Sequence, residues 1–258
     1  MSERWTPWSA PMALIAALGV TLVGGTIVGG VAAATGSNLR HLPPVVDIVS
    51  TLIQDGALVL VAVLFAARVA RPTAAAFGLR RVPRPVRALG LLLGAWALFV
   101  AFSGAWTTLL NVHDKEKIVD QLGANDSAVA LVAVSALTCV VAPLCEELFF
   151  RGYFFTALRN WHGTIPAALL CGLVFGGIHA GSAPVGYLVP LAFFGFVLCL
   201  LYRATSSLYP CIVLHALNNS VAFGVTEHWS WQIPVLAAAS LASLAVLLGV
   251  VARTPSAQ

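Results

Sequence analysis

Charge is scarce along this chain, and lysine scarcer still. Only 9% of the 258 residues are Asp, Glu, Lys or Arg, against about 25% in a soluble domain. Lysine occurs only at Lys115 and Lys117, so arginine carries almost all of the positive charge. The net +4 is spread over short loops between apolar runs, which excludes a nucleic-acid-binding surface and points to membrane orientation instead. The period-two alternation of a β-barrel is absent. So are internal repeats, low-complexity tails and any polar stretch long enough for a soluble domain. The five cysteines, Cys139, Cys145, Cys171, Cys199 and Cys211, form no CxxC pair, which leaves no disulfide framework and reads as small buried hydrophobes. Cys145 alone, beside Glu146, is a candidate nucleophile, and it has no histidine as a close sequence neighbour. The HExxH signature of zinc peptidases is missing as well.

What is present is oil. Hydrophobic residues make up 59% of the chain and the mean hydropathy is +0.91. A helical span needs about 20 apolar residues, and eight segments qualify or come near: 10–34, 45–67, 88–110, 128–158, 164–180, 185–202, 208–226 and 232–251. Every lipid-facing backbone group must be bonded internally, so the expected fold is all-α. We expect one polytopic domain over residues 1–258, about eight transmembrane helices around a polar intramembrane cavity, with a catalytic core over about 128–226. The first run exceeds the ~7–15 apolar residues of a signal sequence and reads as an uncleaved span. The fourth is too long for one straight crossing, with Pro143 as the expected kink.

Loop charge sets the orientation. Arg68, Arg71, Arg80, Arg81, Arg84 and Arg87 share the second connection, and Arg4, Arg159, Arg203 and Arg253 fall on the same side if eight helices alternate. The opposite loops hold only Arg40, Lys115 and Lys117. The positive-inside rule places both termini in the cytoplasm. The preference for arginine mildly suggests a GC-rich bacterial genome, hence the inner (plasma) membrane of a bacterium. Trp5, Trp8, Trp106, Trp161, Trp229 and Trp231 lie near span ends, as interfacial anchors do. Gly25 and Gly29 form a GxxxG read chiefly as close helix packing, with a homodimer seam as the minority alternative.

Against this background the polar residues stand out. An ionisable side chain at membrane depth costs at least ~2.5–3.5 kcal/mol, yet Glu146 and Glu147 are adjacent, with Arg151 one turn on. Glu147 and Arg151, spaced i,i+4, share a helix face and read as a structural ion pair. Glu146 points about 100° away and is free to face a cavity, where a poorly hydrated carboxylate suits a general base. Phe175 and His179 repeat the i,i+4 spacing, with the phenyl ring able to pack beneath the imidazole. His215 and Asn219 do so again, an imidazole and an amide placed to hold an oxyanion. Counted as straight helices, Glu146 lies roughly 20 Å from Arg159, His179 roughly 27 Å from Trp161 and His215 about 12 Å from Ser207. These depths differ, so tilt, the Pro143 kink or shifted boundaries must bring the groups together. Asp47 reads as interfacial. Asp55 reads as lining a wet entrance or bonding a neighbouring helix.

The ordered motifs Glu146-Glu147-x-x-x-Arg151, Phe175-x-x-x-His179 and His215-x-x-x-Asn219 resemble the CPBP family, the CAAX-protease and bacteriocin-processing (Abi) proteins, over about residues 140–223. The resemblance implies an intramembrane endopeptidase cleaving a membrane-associated or lipidated protein or peptide. By that analogy Glu146 and His179 activate the attacking water, His215 and Asn219 stabilise the oxyanion, and Glu147, Arg151 and Phe175 support the site. Family members are commonly called metalloproteases. Glu146, His179 and His215 could supply three ligands to one divalent metal such as zinc, and a metal-free mechanism stays equally open. Eukaryotic members trim prenylated termini; the bacterial signature here speaks against a prenylated substrate. Two other classes compete: a non-catalytic scaffold or immunity-type partner protein, and a small transporter using Glu146, His179 and His215 as titrating stations.

Overall fold

The structure is a computed structural model, and it describes residues 5–38, 43–112 and 118–253. Eight long helices carry the fold: α1 (Ser9–Ala34), α2 (Pro44–Ala67), α3 (Pro85–Leu109), α4 (Ala128–Trp161), α5 (Thr164–Ile178), α6 (Val185–Thr205), α7 (Tyr209–Thr226) and α8 (Gln232–Arg253). No strand occurs among the described residues. Arg4, Arg40, Lys115 and Lys117, which entered the charge argument, lie outside those residues. Seven of the helices are long and apolar enough to cross a membrane. The exception is α7, whose His215, Asn218 and Asn219 dilute its apolar character.

Between helices in lipid there is little hydrophobic driving force, so close packing must hold the bundle together. The tightest seam is α5 on α6. A Cβ added to Gly172 would lie 2.5 Å from the Ala192 carbonyl oxygen, and one on Gly176 would lie 2.5 Å from that of Leu188. This small-xxx-small pair works within the chain. The Gly25–Gly29 pair is different. Gly25 faces α2, where an added Cβ would find Ser50 Oγ at 4.0 Å, while Gly29 has nothing within 4 Å.

The fourth span stays helical through Pro143 by changing pitch. Leu137–Val141 and Leu148–Phe155 are π-helical, flanking the turn that carries both glutamates. The start of α7 is sunk into the protein. Ser207 and Leu208 are fully buried, and the Leu208 N–H donates to the Gly78 carbonyl at 2.9 Å. The α2–α3 connection folds inward over them, with Phe77 buried and Ser207 Oγ donating to the Arg80 carbonyl at 2.7 Å. The turn from which the depth of His215 is counted thus lies beneath this connection, inside the protein. Trp5 also departs from expectation. It is 2% exposed and packs on Phe77 and Tyr153, at centroid distances of 5.3 and 4.8 Å, so it is a core residue rather than an anchor. Trp8 and Trp231 are exposed, as anchors would be.

Candidate active site

A cavity of about 270 Å³ is enclosed by α2, α4, α5, α6 and α7, and its walls include Glu146, His179, His215 and Asn219. All four candidate catalytic residues therefore reach one hollow, and Phe175 lines it too. Its wall also includes Val119, Leu122 and the turn Gly181–Ala183. These belong to the α3–α4 and α5–α6 connections, at the end of the bundle opposite the arginine-bearing ones. At that other end Arg80, Arg159 and Arg203 line a common cleft.

Behind the cavity runs a buried polar chain. Arg151 Nη1 donates to Glu147 Oε1 at 2.7 Å, both side chains being fully buried, which is the expected i,i+4 ion pair. The same oxygen lies 2.8 Å from His215 Nδ1. A carboxylate can only accept, so Nδ1 carries the proton and Nε2 is turned toward Glu146, 3.9 Å from its Oε2. The bidentate reach of arginine continues to the Gly195 carbonyl, which accepts from Nη2 at 3.1 Å, and the guanidinium stacks over Phe175 at 4.5 Å from the ring centroid. Sequence spacing found the Glu147–Arg151 pair and missed its partner on α7. An i,i+4 rule sees one helix only.

Phe175 is the hinge of the packing. Its ring lies 4.9 Å from that of His179 and 5.7 Å from that of His215, so it holds both imidazoles rather than one. Gly195 makes room for it, since a Cβ there would meet Phe175 Cβ at 2.9 Å. Phe194 closes the far side of His215 edge-on at 5.5 Å. His179 begins a single 3-10 turn, His179–Gly181, directly after α5. Its Nδ1 lies 2.7 Å from the Phe175 carbonyl. A carbonyl only accepts, so this nitrogen carries the proton and Nε2 is left with its lone pair in the neutral ring.

Asn219 is fixed by an arrangement that begins with Pro143. In the π-helical stretch the Ala142 N–H reaches back five residues to the Leu137 carbonyl. The next bond of that register would join residue 143 to the Thr138 carbonyl, and proline has no N–H to give. Asn219 Nδ2 supplies the missing donor, 2.9 Å from Thr138 O. One amide hydrogen is spent there, and the amide has a second. Thr138, also in the cavity wall, was not singled out from the sequence. Proline five residues after a carbonyl is the signal that could have found it.

Other candidates stay outside. Cys145 is half-buried and is not part of the cavity wall. Asp47 is exposed at the start of α2. Asp55 is 1% exposed, neither of its oxygens has a hydrogen-bond partner among the described residues, and α2 packs directly on the Glu146 turn. Zinc finds no three-ligand set. Among the described residues no three His, Cys, Asp or Glu side chains group closely enough to hold a metal ion. His215 Nδ1 is engaged by Glu147 and His179 Nδ1 by a carbonyl, which leaves Nε2 as the outward edge of each ring.

Comparison with known proteins addresses the same stretch. Residues 128–221 match the family model described as Type II CAAX prenyl endopeptidase Rce1-like. Over that stretch the chain is similar to the CAAX-protease family. The matched residues take in both glutamates, Arg151, Phe175, both cavity histidines and Asn219. No curated protein and no solved structure matches the chain.

Proposed function

We propose that this membrane protein is a glutamate-dependent intramembrane endopeptidase whose catalytic core spans about residues 128–226. The family is one of peptidases, and the chain has the apolar helices of an integral membrane protein. The observation that carries the finer reading is the meeting of Glu146, His179, His215 and Asn219 in one cavity.

A water between Glu146 and His179 would give a proton to the Glu146 carboxylate, with the free Nε2 of His179 orienting it. The hydroxide attacks the scissile carbonyl carbon, and the electron pair moves onto the carbonyl oxygen. The second N–H of Asn219 and the Nε2 edge of His215 stabilise that oxyanion. That role requires a proton on His215 Nε2, which makes this edge a donor toward the oxyanion. Collapse of the intermediate breaks the C–N bond, and Glu146 returns its proton to the leaving amine. No step here passes through a metal ion.

By the positive-inside rule, the arginine-bearing connections and both termini face the cytoplasm. The end of the cavity lined by Val119, Leu122 and Gly181–Ala183 then lies toward the opposite face of a bacterial plasma membrane. The substrate is a membrane-associated protein or peptide that reaches that side. Glu146→Ala and His215→Ala should each abolish cleavage of a membrane-tethered reporter at unchanged protein level. Cleavage retained by both variants would overturn the reading.

A further inference from the structure

The arginine-bearing end of the bundle holds a second concave site, remote from the catalytic cavity. Arg80 comes from the α2–α3 connection, Arg159 from the last turn of α4 and Arg203 from the last turn of α6, and the three line one cleft of about 610 Å³. The rest of the lining is hydroxyl-bearing or alanine, and no acidic side chain is in the wall. The sequence has none to offer nearby. It holds no Asp or Glu between residues 56 and 113 or between 148 and 226, the stretches that build this end. Glu3, ahead of α1, lies outside the described residues. The ion pairs among the described residues all belong to the Glu146–Glu147 cluster.

Arginine near a helix C-terminus complements the helix dipole, and Arg159 and Arg203 stand at two such ends. Magnitude shows that this is not enough. Each end carries about half a negative charge, so two ends offset about one of the three guanidiniums. The start of α5 works the other way. Thr164, its first residue, is in the same wall, its first turn holds no acidic residue and no side chain caps it, which adds about half a positive charge. An excess of about +2.5 is left for a counter-ion from outside the chain. The donors are also oriented in advance. Arg80 Nε donates to the Ser206 carbonyl at 2.8 Å, a bond that leaves its two Nη groups unspent. The Arg159 guanidinium lies 5.8 Å from the Phe155 ring centroid.

Charge and donor count select the ligand. A carboxylate or a phosphodiester brings one negative charge. A phosphate monoester brings about −1.5 to −2 and three strong acceptor oxygens, which suit guanidinium forks. Basic pockets between helices at a membrane surface take phosphate head groups in this way. We propose that the cleft lined by Arg80, Arg159 and Arg203 is a binding site for a phosphate monoester. The assignment is independent of the proteolytic reading.

The test measures binding of radiolabelled dioctanoyl phosphatidic acid to the full chain in neutral detergent. Binding should saturate at one molecule per chain, with dioctanoyl phosphatidylglycerol, a diester, at least tenfold weaker. Arg203→Gln, at an exposed position, should weaken binding at least tenfold, as loss of hydrogen bonds to a charged group does. Arg203→Lys should restore part of that loss. Arg71→Gln, exposed on the same connection as Arg80 but outside the cleft wall, should change binding less than twofold. If Arg203→Gln protein does not fold, Arg80→Gln reads the same loss. Inorganic phosphate separates the two sources of the ligand. Displacement below a hundredfold excess assigns a free phosphate, and resistance up to that excess assigns a lipid head group. No saturable binding, equal binding of the diester, stronger binding of an Asp/Glu peptide, or equal damage from Arg71→Gln and Arg203→Gln would each overturn the assignment. So would a tenfold gain on Glu3→Gln, which would give the cleft an occupant from within the chain.

Discussion

Glu147 Oε1 is shared between Arg151 Nη1 at 2.7 Å and His215 Nδ1 at 2.8 Å. One carboxylate oxygen thus ties the fourth span to the seventh and sets which edge of the imidazole faces Glu146. The residue that reads as structural in the sequence is the one that orients the His215 ring. Such outer partners commonly matter 10–100-fold in activity where they hold a histidine at a metal, and the geometric argument is the same without one.

Glu147→Gln keeps the shape and removes the charge. It should lower kcat about 10–100-fold and, by leaving Arg151 buried without its counter-ion, cost ~3–5 kcal/mol of stability. Adding Arg151→Met should recover much of the stability and none of the activity. Thermal melting in detergent with reporter cleavage reads both. A double variant that regains activity would show that Glu147 serves only the ion pair.

Asn219→Ala removes the proposed oxyanion donor and takes away the Asn219 bond to the Thr138 carbonyl. The expected loss is about 10²–10³ in kcat with KM little changed. Pro143→Ala supplies an N–H at the position five residues after Thr138. It should free Asn219 from that carbonyl and lower kcat by a smaller factor. A rise in KM at constant kcat in Asn219→Ala would assign the amide to substrate binding instead.

The helices, their approximate limits and the three polar motifs were legible in the sequence, because apolar runs of span length and i,i+4 pairs are local signals. What was not legible is tertiary. The depth of His215 depended on α7 starting beneath the Phe77–Arg80 connection, and no local pattern announces an inward-folded loop. The glycines at 172, 176 and 195 look like unremarkable apolar-run residues until α6 lies against α5. The partner of Asn219 depended on a π-helical register shift that only the backbone reveals.

Asp55 is a buried carboxyl with no hydrogen-bond partner among the described residues. Leaving such a group unpaired costs roughly 1–3 kcal/mol. Asp55→Leu should therefore raise the melting temperature of the protein. A fall in melting temperature would mean that the carboxyl has a stabilising partner.

No three His, Cys, Asp or Glu side chains among the described residues group closely enough to hold a metal ion, which predicts that purified protein carries zinc well below one equivalent. Reporter cleavage should then survive exhaustive chelation with less than twofold loss. Stoichiometric zinc, together with loss on chelation and recovery on adding zinc back, would contradict the hydrolytic scheme drawn from the side chains alone.

The most direct test is the rate of reporter cleavage by purified Glu146→Gln protein in proteoliposomes, measured beside its melting temperature. The amide keeps the size of the side chain and cannot take a proton from water. The account predicts a loss of about 10²–10⁴ in kcat, the usual worth of a general base, with the melting temperature held or raised. Activity within tenfold of the parent protein would contradict it.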